Sequence, residues 1–290
     1  MLAAVNRFLG IAVVAAISSV VAFAIFAQPT SQGLFGGTIV IVAISGDELV
    51  LAADSRNGSD PPDDAACKVV ALEPDVIFSA AGRSGEGNPA HPIWSVIGEA
   101  RRAHDSVRNT SVPEKSISME MGALWANAVA LDLKAAIVRD PKILENMFDD
   151  GLVVGVFGRR RKDASLELTT VTLKYDRISS KPSDPVISEK VDSGAVNPEA
   201  ATPQFWAYGD TAILEEIEAG KTERAKNELC ERKRILASKE GFPVEAEAVR
   251  SAEVVVSFSL DGKVGGRVDA VSLRRTGIHW VKRKPSCPPD

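Results

Sequence analysis

Cysteine and histidine are scarce in this chain, and positive charge is not in excess. Cys67, Cys230 and Cys287 are its only cysteines. An odd count permits at most one internal disulfide with one thiol left over, and no pair has the spacing of a metal site. Cys67 reads as a small apolar residue inside a strand, Cys230 lies in a charged helical stretch, and Cys287 is in the tail. His91, His104 and His279 are scattered without a ligand pattern, so no metal and no other cofactor is expected. A net charge of −5 with pI near 5.4 gives no reason to expect nucleic acid as a partner. The basic runs Arg159–Lys162 and Lys282–Lys284 are short and read as solvated surface. There is no internal repeat and no low-complexity block.

Uninterrupted apolar sequence is concentrated at the start. After Arg7, the run from Phe8 to Ala27 carries no charge. One positive charge before such a run suggests export, with the remainder translocated. The run is long for a cleaved signal and just long enough to span a bilayer. Cleavage after Ala24 or Ala27 and retention as a membrane anchor through residues 8–27 both stay open. The expected location is periplasmic, secreted, or anchored facing outside the cytoplasm. Residues 28–37 then form a short linker or propeptide, residues 38–282 one domain with a sizeable core, and 283–290 a tail.

The domain opens with GGTIVIVAISGDELVLAADSR, residues 36–56. Two β-branched-rich runs, Thr38–Ile44 and Leu49–Ala53, flank Ser45-Gly46-Asp47-Glu48, which is a hairpin signature. The runs are nearly continuous rather than alternating, so both strand faces should be buried. Such a hairpin sets its two ends side by side, and those ends carry Thr38 and Asp54, followed by Ser55 and Arg56. No histidine or cysteine in the hairpin can activate the Thr38 hydroxyl. Its own α-amine could, if the chain were cut after the flexible Gly36-Gly37, because a free α-amine has a pKa of about 7.7–8.0.

This stretch resembles the start of proteasome β-subunits and related bacterial protease subunits, members of the N-terminal-nucleophile (Ntn) hydrolases. The family's nucleophilic Thr, its Asp, its Lys and its oxyanion-binding Gly match Thr38, Asp54, Lys68 in CKVVAL and Gly82 in FSAAGRSG. Further on, Asp261-Gly262-Lys263-Val264-Gly265-Gly266 is similar to the family's Asp-x-x-Ser-Gly-Gly turn, with Val264 in place of the Ser. Gly209-Asp210-Thr211 stands where family members usually carry Gly-Ser-Gly. The resemblance covers residues 36–282 and implies an α+β fold, a four-layer αββα sandwich of two antiparallel sheets.

Between these motifs the polar loop 55–66 should line a cleft. Strands are predicted at Lys68–Leu72, Val76–Ala80, Gly151–Gly158, Glu167–Tyr175, near Val186–Val191, at Phe205–Gly209, Val268–Leu273 and Ile278–Val281. A helix should begin near Pro92, with Trp94, Val96, Ile97 and Ala100 facing the sheet. Another should run over Ser116–Arg139 with Met119, Leu124, Ala128, Leu131 and Ala135 as its core stripe, and further helices over 215–240 and 243–260.

The activity the resemblance implies is hydrolysis of a peptide or other amide bond. Thr38 Oγ attacks the carbonyl and passes its proton to the freed amine. Lys68 lowers the pKa of both groups, Asp54 holds Lys68, and the Gly82 N–H receives the oxyanion. Asp261, with Asp210, orients the amine, while Ser55, Arg56, Arg83 and Asp210 border the substrate. A catalytically inactive scaffold subunit and a small-molecule acylase are the alternatives, and a homo-oligomer is a further expectation because the family builds rings.

Overall fold

The computed structural model describes residues 38–56, 66–72, 74–88, 91–144, 151–197, 203–209, 211–236, 243–259, 264–285 and 287. They belong to one compact unit. The apolar run 8–27, the segment 28–37, most of the loop 55–66, and both Asp210 and Asp261 lie outside the described residues.

The predicted hairpin is present as β1 (Ile39–Ser45) and β2 (Glu48–Asp54), with Val40 opposite Ala53 and Ser45 opposite Glu48. Gly46 turns the chain at a φ of +58°, a conformation that favours glycine. Next come β3 (Val69–Leu72), β4 (Val76–Gly82), the short hairpin β5 (Gly85–Asn88) and β6 (His91–Ser95), and then helices α1 (Val96–Arg108) and α2 (Ile117–Arg139). β7 (Gly151–Arg160), β8 (Leu166–Tyr175), β9 (Ile187–Ala195) and β10 (Gln204–Gly209) follow. The chain continues through α3 (Ala212–Ala219), α4 (Glu223–Leu236) and α5 (Val244–Phe258) to β11 (Val268–Arg274) and β12 (Gly277–Lys282).

The result is a mixed α+β fold with two five-stranded antiparallel sheets and five helices among the described residues. The first sheet has the order β10-β1-β2-β11-β12 and the second β3-β4-β7-β8-β9. Alternate residues of β1 and β2 explain their continuous apolar sequence. Val40, Val42, Ile44, Leu49, Leu51 and Ala53 meet Ile77, Ala81, Val154 and Val156 of the second sheet. Ile39, Ile41, Ala43, Val50 and Ala52 turn the other way, onto Val244, Ala248, Ala252 and Val255 of α5. A side chain of this size is worth about 1.5–3 kcal/mol when fully buried, so the hairpin is anchored from both faces. The second sheet's other face, with Phe78, Val153, Phe157 and Val171, is covered by α1 and α2.

Several sequence expectations change here. The helix predicted from Pro92 begins at Val96, because Ser95 caps it by accepting from the Gly98 N–H at 3.0 Å. Pro92 and Trp94 belong to β6, and Trp94 donates to Glu86 across the hairpin at 3.1 Å. In α2 the core stripe is Met121, Trp125, Val129, Leu133 and Ile137. The predicted one is turned outward: Met119 is 44% exposed, Leu124 37% and Leu131 67%. This helix is apolar almost all round, so periodicity alone could not select its buried side. Among the described residues it is also the segment long and apolar enough to cross a membrane, and half of its most apolar window is buried. The helix predicted over 215–240 is two helices, separated where Gly220 takes a left-handed φ of +58°.

Two residues from the basic runs are interior rather than solvated. Arg159 is held by Glu114 and Glu167, and Lys284 by Asp269. Cys67 precedes β3 and forms a disulfide with Cys287, leaving Cys230 as an exposed thiol.

Candidate active site

Because β1 and β2 pair along their full length, Thr38 and Asp54 meet at one end of the hairpin. Lys68 arrives from the residue before β3. Its Nζ donates to Thr38 Oγ1 at 2.7 Å and to Asp54 Oδ1 at 3.2 Å, and a third donor goes to the Arg56 carbonyl. These three bonds use all the N–H groups of a lysine ammonium. Thr38, Asp54 and Lys68 are 4%, 1% and 5% exposed. Lys68 itself is fixed from behind, since its carbonyl accepts from Ser79 Oγ at 3.0 Å.

Asp54 is the hub. Its Oδ1 accepts from the Ile39 N–H at 3.0 Å, and its Oδ2 from the N–H groups of Gly265 and Arg56 at 3.1 and 3.3 Å. Burial pushes the Asp54 carboxyl above the usual carboxylate range, while Lys68 and the N–H groups of Gly265 and Ile39 pull it back. The bond to Ile39 matters for geometry, because it fixes the backbone directly after Thr38. On the other side, Ile39 is paired with Gly209, which ends β10 at a φ of +104°. A Cβ there would collide with the Thr38 carbonyl, so glycine lets β10 close over the threonine backbone.

Gly82 ends β4 opposite Val153, also left-handed at a φ of +100°, where a side chain would run into the Leu152 carbonyl. The preceding Ala81 belongs to the cluster between the sheets and lies against Gly209. Arg83 is partly buried, and its Nε has no hydrogen-bond partner among the described residues. Burial lowers the pKa of this guanidinium; Glu86 and Asp140 oppose that shift.

Ser55 and Arg56, expected beside the substrate, tie β2 to the Gly265 turn. Both N–H groups donate to the Gly265 carbonyl, at 3.2 and 3.0 Å, and Ser55 Oγ accepts from the Arg267 N–H at 2.8 Å. Val264 is buried among Ile39, Ile41 and Ala52, so an apolar side chain fills the place where the resemblance sets a hydroxyl. Its N–H is instead met by Ser259 Oγ at 3.3 Å. Three participants escaped the sequence reading: the Gly265 N–H, the Arg56 carbonyl and Ser259. A backbone group leaves no residue-type signal, and Ser259 lies outside every motif considered.

A buried ammonium aimed at a hydroxyl can stabilise the negative charge that hydroxyl acquires in attacking a carbonyl. No cluster of three or more His, Cys, Asp or Glu able to hold a metal occurs among the described residues. The sequence matches no protein-family model and no curated protein.

Proposed function

We propose that the protein is a threonine-type amide hydrolase of the Ntn kind, built as a four-layer αββα sandwich and activated by cleavage between Gly37 and Thr38. The observation that carries this reading is the 2.7 Å bond from Lys68 Nζ to Thr38 Oγ1, inside a buried triad with Asp54. The convergence of Thr38, Asp54 and Lys68 in space, in the order along the chain that the resemblance implies, supports the reading. The three apolar clusters, between the sheets and under the helices on either side, support the four-layer architecture.

In the cleaved chain the Thr38 amine takes the hydroxyl proton as Oγ attacks the substrate carbonyl. Collapse of the tetrahedral intermediate expels the amine product with that proton and leaves an ester on Thr38. Water then releases the acid and restores the hydroxyl. Lys68 stabilises the charge on Oγ, and the Gly82 N–H is assigned to the oxyanion, a contribution of roughly 3–4 kcal/mol when one such donor is removed elsewhere. Peptides are the leading substrates, with small acyl amides as the alternative. The disulfide supports the expected export, since such bonds persist in oxidising compartments.

A second reading, a catalytically inactive scaffold, is favoured by Val264 in place of a hydroxyl residue and by the near-complete burial of Thr38. The N-terminal sequence and intact mass of protein recovered from its own host, followed by treatment with an electrophilic probe, separate the two. A chain beginning at Thr38 that takes up one probe on that residue supports the hydrolase. A chain retaining residues before Thr38 and taking up no probe supports the scaffold.

A further inference from the structure

Resting on the hydrolase reading, we infer that the C-terminal tail is a positioning clamp for Lys68, with Lys284 as its central residue and the Cys67–Cys287 disulfide as its lock. Three consecutive residues leading into β3 are each held by a different tether. The Ala66 carbonyl accepts from Lys284 Nζ at 2.5 Å, Cys67 is bonded to Cys287, and the Lys68 carbonyl accepts from Ser79. Two of the three tethers come from the tail. The tail is in turn seated on β11: Lys284 Nζ lies 2.7 Å from Asp269 Oδ2, and the Lys284 N–H donates to Asp269 Oδ1 at 2.9 Å. Asp269 pairs with Ala53 in β2, the residue before Asp54. A turn from the Cys287 N–H to the Lys284 carbonyl, 3.1 Å, sets the two tail residues side by side.

The clamp answers a mechanical need. Lys68 sits at the mouth of a four-residue strand, on a long side chain that must hold three acceptors at once. Among the described residues β3 pairs with β4 alone and stands at the edge of its sheet. The tail supplies the restraint its second neighbour would have given, through residues adjacent to the ammonium-bearing one. Among the described residues the side-chain polar contacts of Lys284 and Asp269 run to each other, to Ala66 and to Cys287, so the pair acts through the 66–68 backbone. A misplacement of about 1 Å in a catalytic group can cost roughly 10²-fold in rate.

The test uses the protein as recovered from its own host, with Cys230→Ser as background. Two quantities are read for Lys284→Met and Lys284→Arg: the rate at which an amine-reactive reagent modifies Lys68, and the pH profile of Thr38 labelling by an electrophilic probe. Lys284→Met is expected to speed Lys68 modification tenfold or more and to cut and reshape Thr38 labelling, with amide exchange in β7 unchanged. Lys284→Arg, which can still reach Asp269 and Ala66, is expected to restore both. Lys68 modification at the wild-type rate in Lys284→Met overturns the clamp, whether or not Thr38 reacts. If Thr38 is unlabelled even in the wild type, the hydrolase reading fails, and the Lys68 rate alone decides the clamp. Should Lys284→Met not fold, the Cys67→Ala/Cys287→Ala double variant is read in the same way.

Discussion

Two buried ion clusters in this molecule use the same ingredients to different ends. At the outer ends of β7 and β8, Arg159 bonds to Glu167 at 2.9 Å and to Glu114, while Glu167 also takes the Ser118 hydroxyl at 2.5 Å and faces Arg161. Here charge meets charge, and a planar guanidinium forks between two carboxylates to fasten the start of α2 to the second sheet. At the hairpin, one carboxylate faces one ammonium, and the ammonium's short side-chain bond goes to a neutral hydroxyl. A threonine hydroxyl is an ordinary acceptor for a buried ammonium, so satisfaction of Lys68 accounts for the bond in structural terms. Under the proposed function the same bond also readies the hydroxyl for attack.

The widest separation between the clusters should come from Thr38→Ala. In the processed protein this change should lower hydrolysis and probe labelling by at least about 10³-fold, while the melting temperature moves by only a few degrees. Arg159→Met should do the reverse. It leaves Glu167 and Glu114 with only the more distant Arg161 and Lys162, at 3.4 and 3.9 Å, and should cost up to about 3–5 kcal/mol in urea unfolding, with labelling of the folded fraction unchanged. Comparable loss of labelling in both variants would erase the distinction. The smallest effect concerns pH. The Asp54 carboxyl is raised in the folded state, so the folded protein holds a proton that the unfolded chain has released. That contribution is complete below the unfolded pKa of about 3.9 and is lost as pH rises through the folded value. The stability of wild type minus that of Asp54→Asn, from urea melts across pH 4 to 7, should therefore be lower at the upper end of that range than at pH 4.

Much of the hairpin was legible because its determinants are local. A Gly-Asp turn between β-branched runs fixes the register, and the register alone brings residue 38 beside residue 54. Lys68 rests on the resemblance alone, because β3 lies in the other sheet and no local pairing carries it to the hairpin. The failures have a different cause. Arg159 and Lys284 read as surface because Glu114 and Asp269 are brought to them only by tertiary structure, and because the sequence reading leaves open the β7–β8 register that sets Glu167 opposite Arg159. The disulfide joins residues 220 positions apart, and three cysteines permit three pairings between which sequence cannot choose. In α2 two apolar stripes compete, and what decides is shape. Gly155 of β7 leaves room for the Trp125 ring, which any Cβ there would strike.

The order β10-β1-β2-β11-β12 also has a consequence for how the chain comes into being. β2 is made early but takes its second neighbour from β11, so Asp54 waits for Val268. As the polypeptide emerges from N- to C-terminus, Leu49 and Leu51 stay without one flank of their sheet until nearly the whole chain has been delivered. Such non-local pairing is slow to form and leaves apolar strand exposed meanwhile. Truncation near residue 265 should therefore yield not a smaller folded domain but an aggregating fragment.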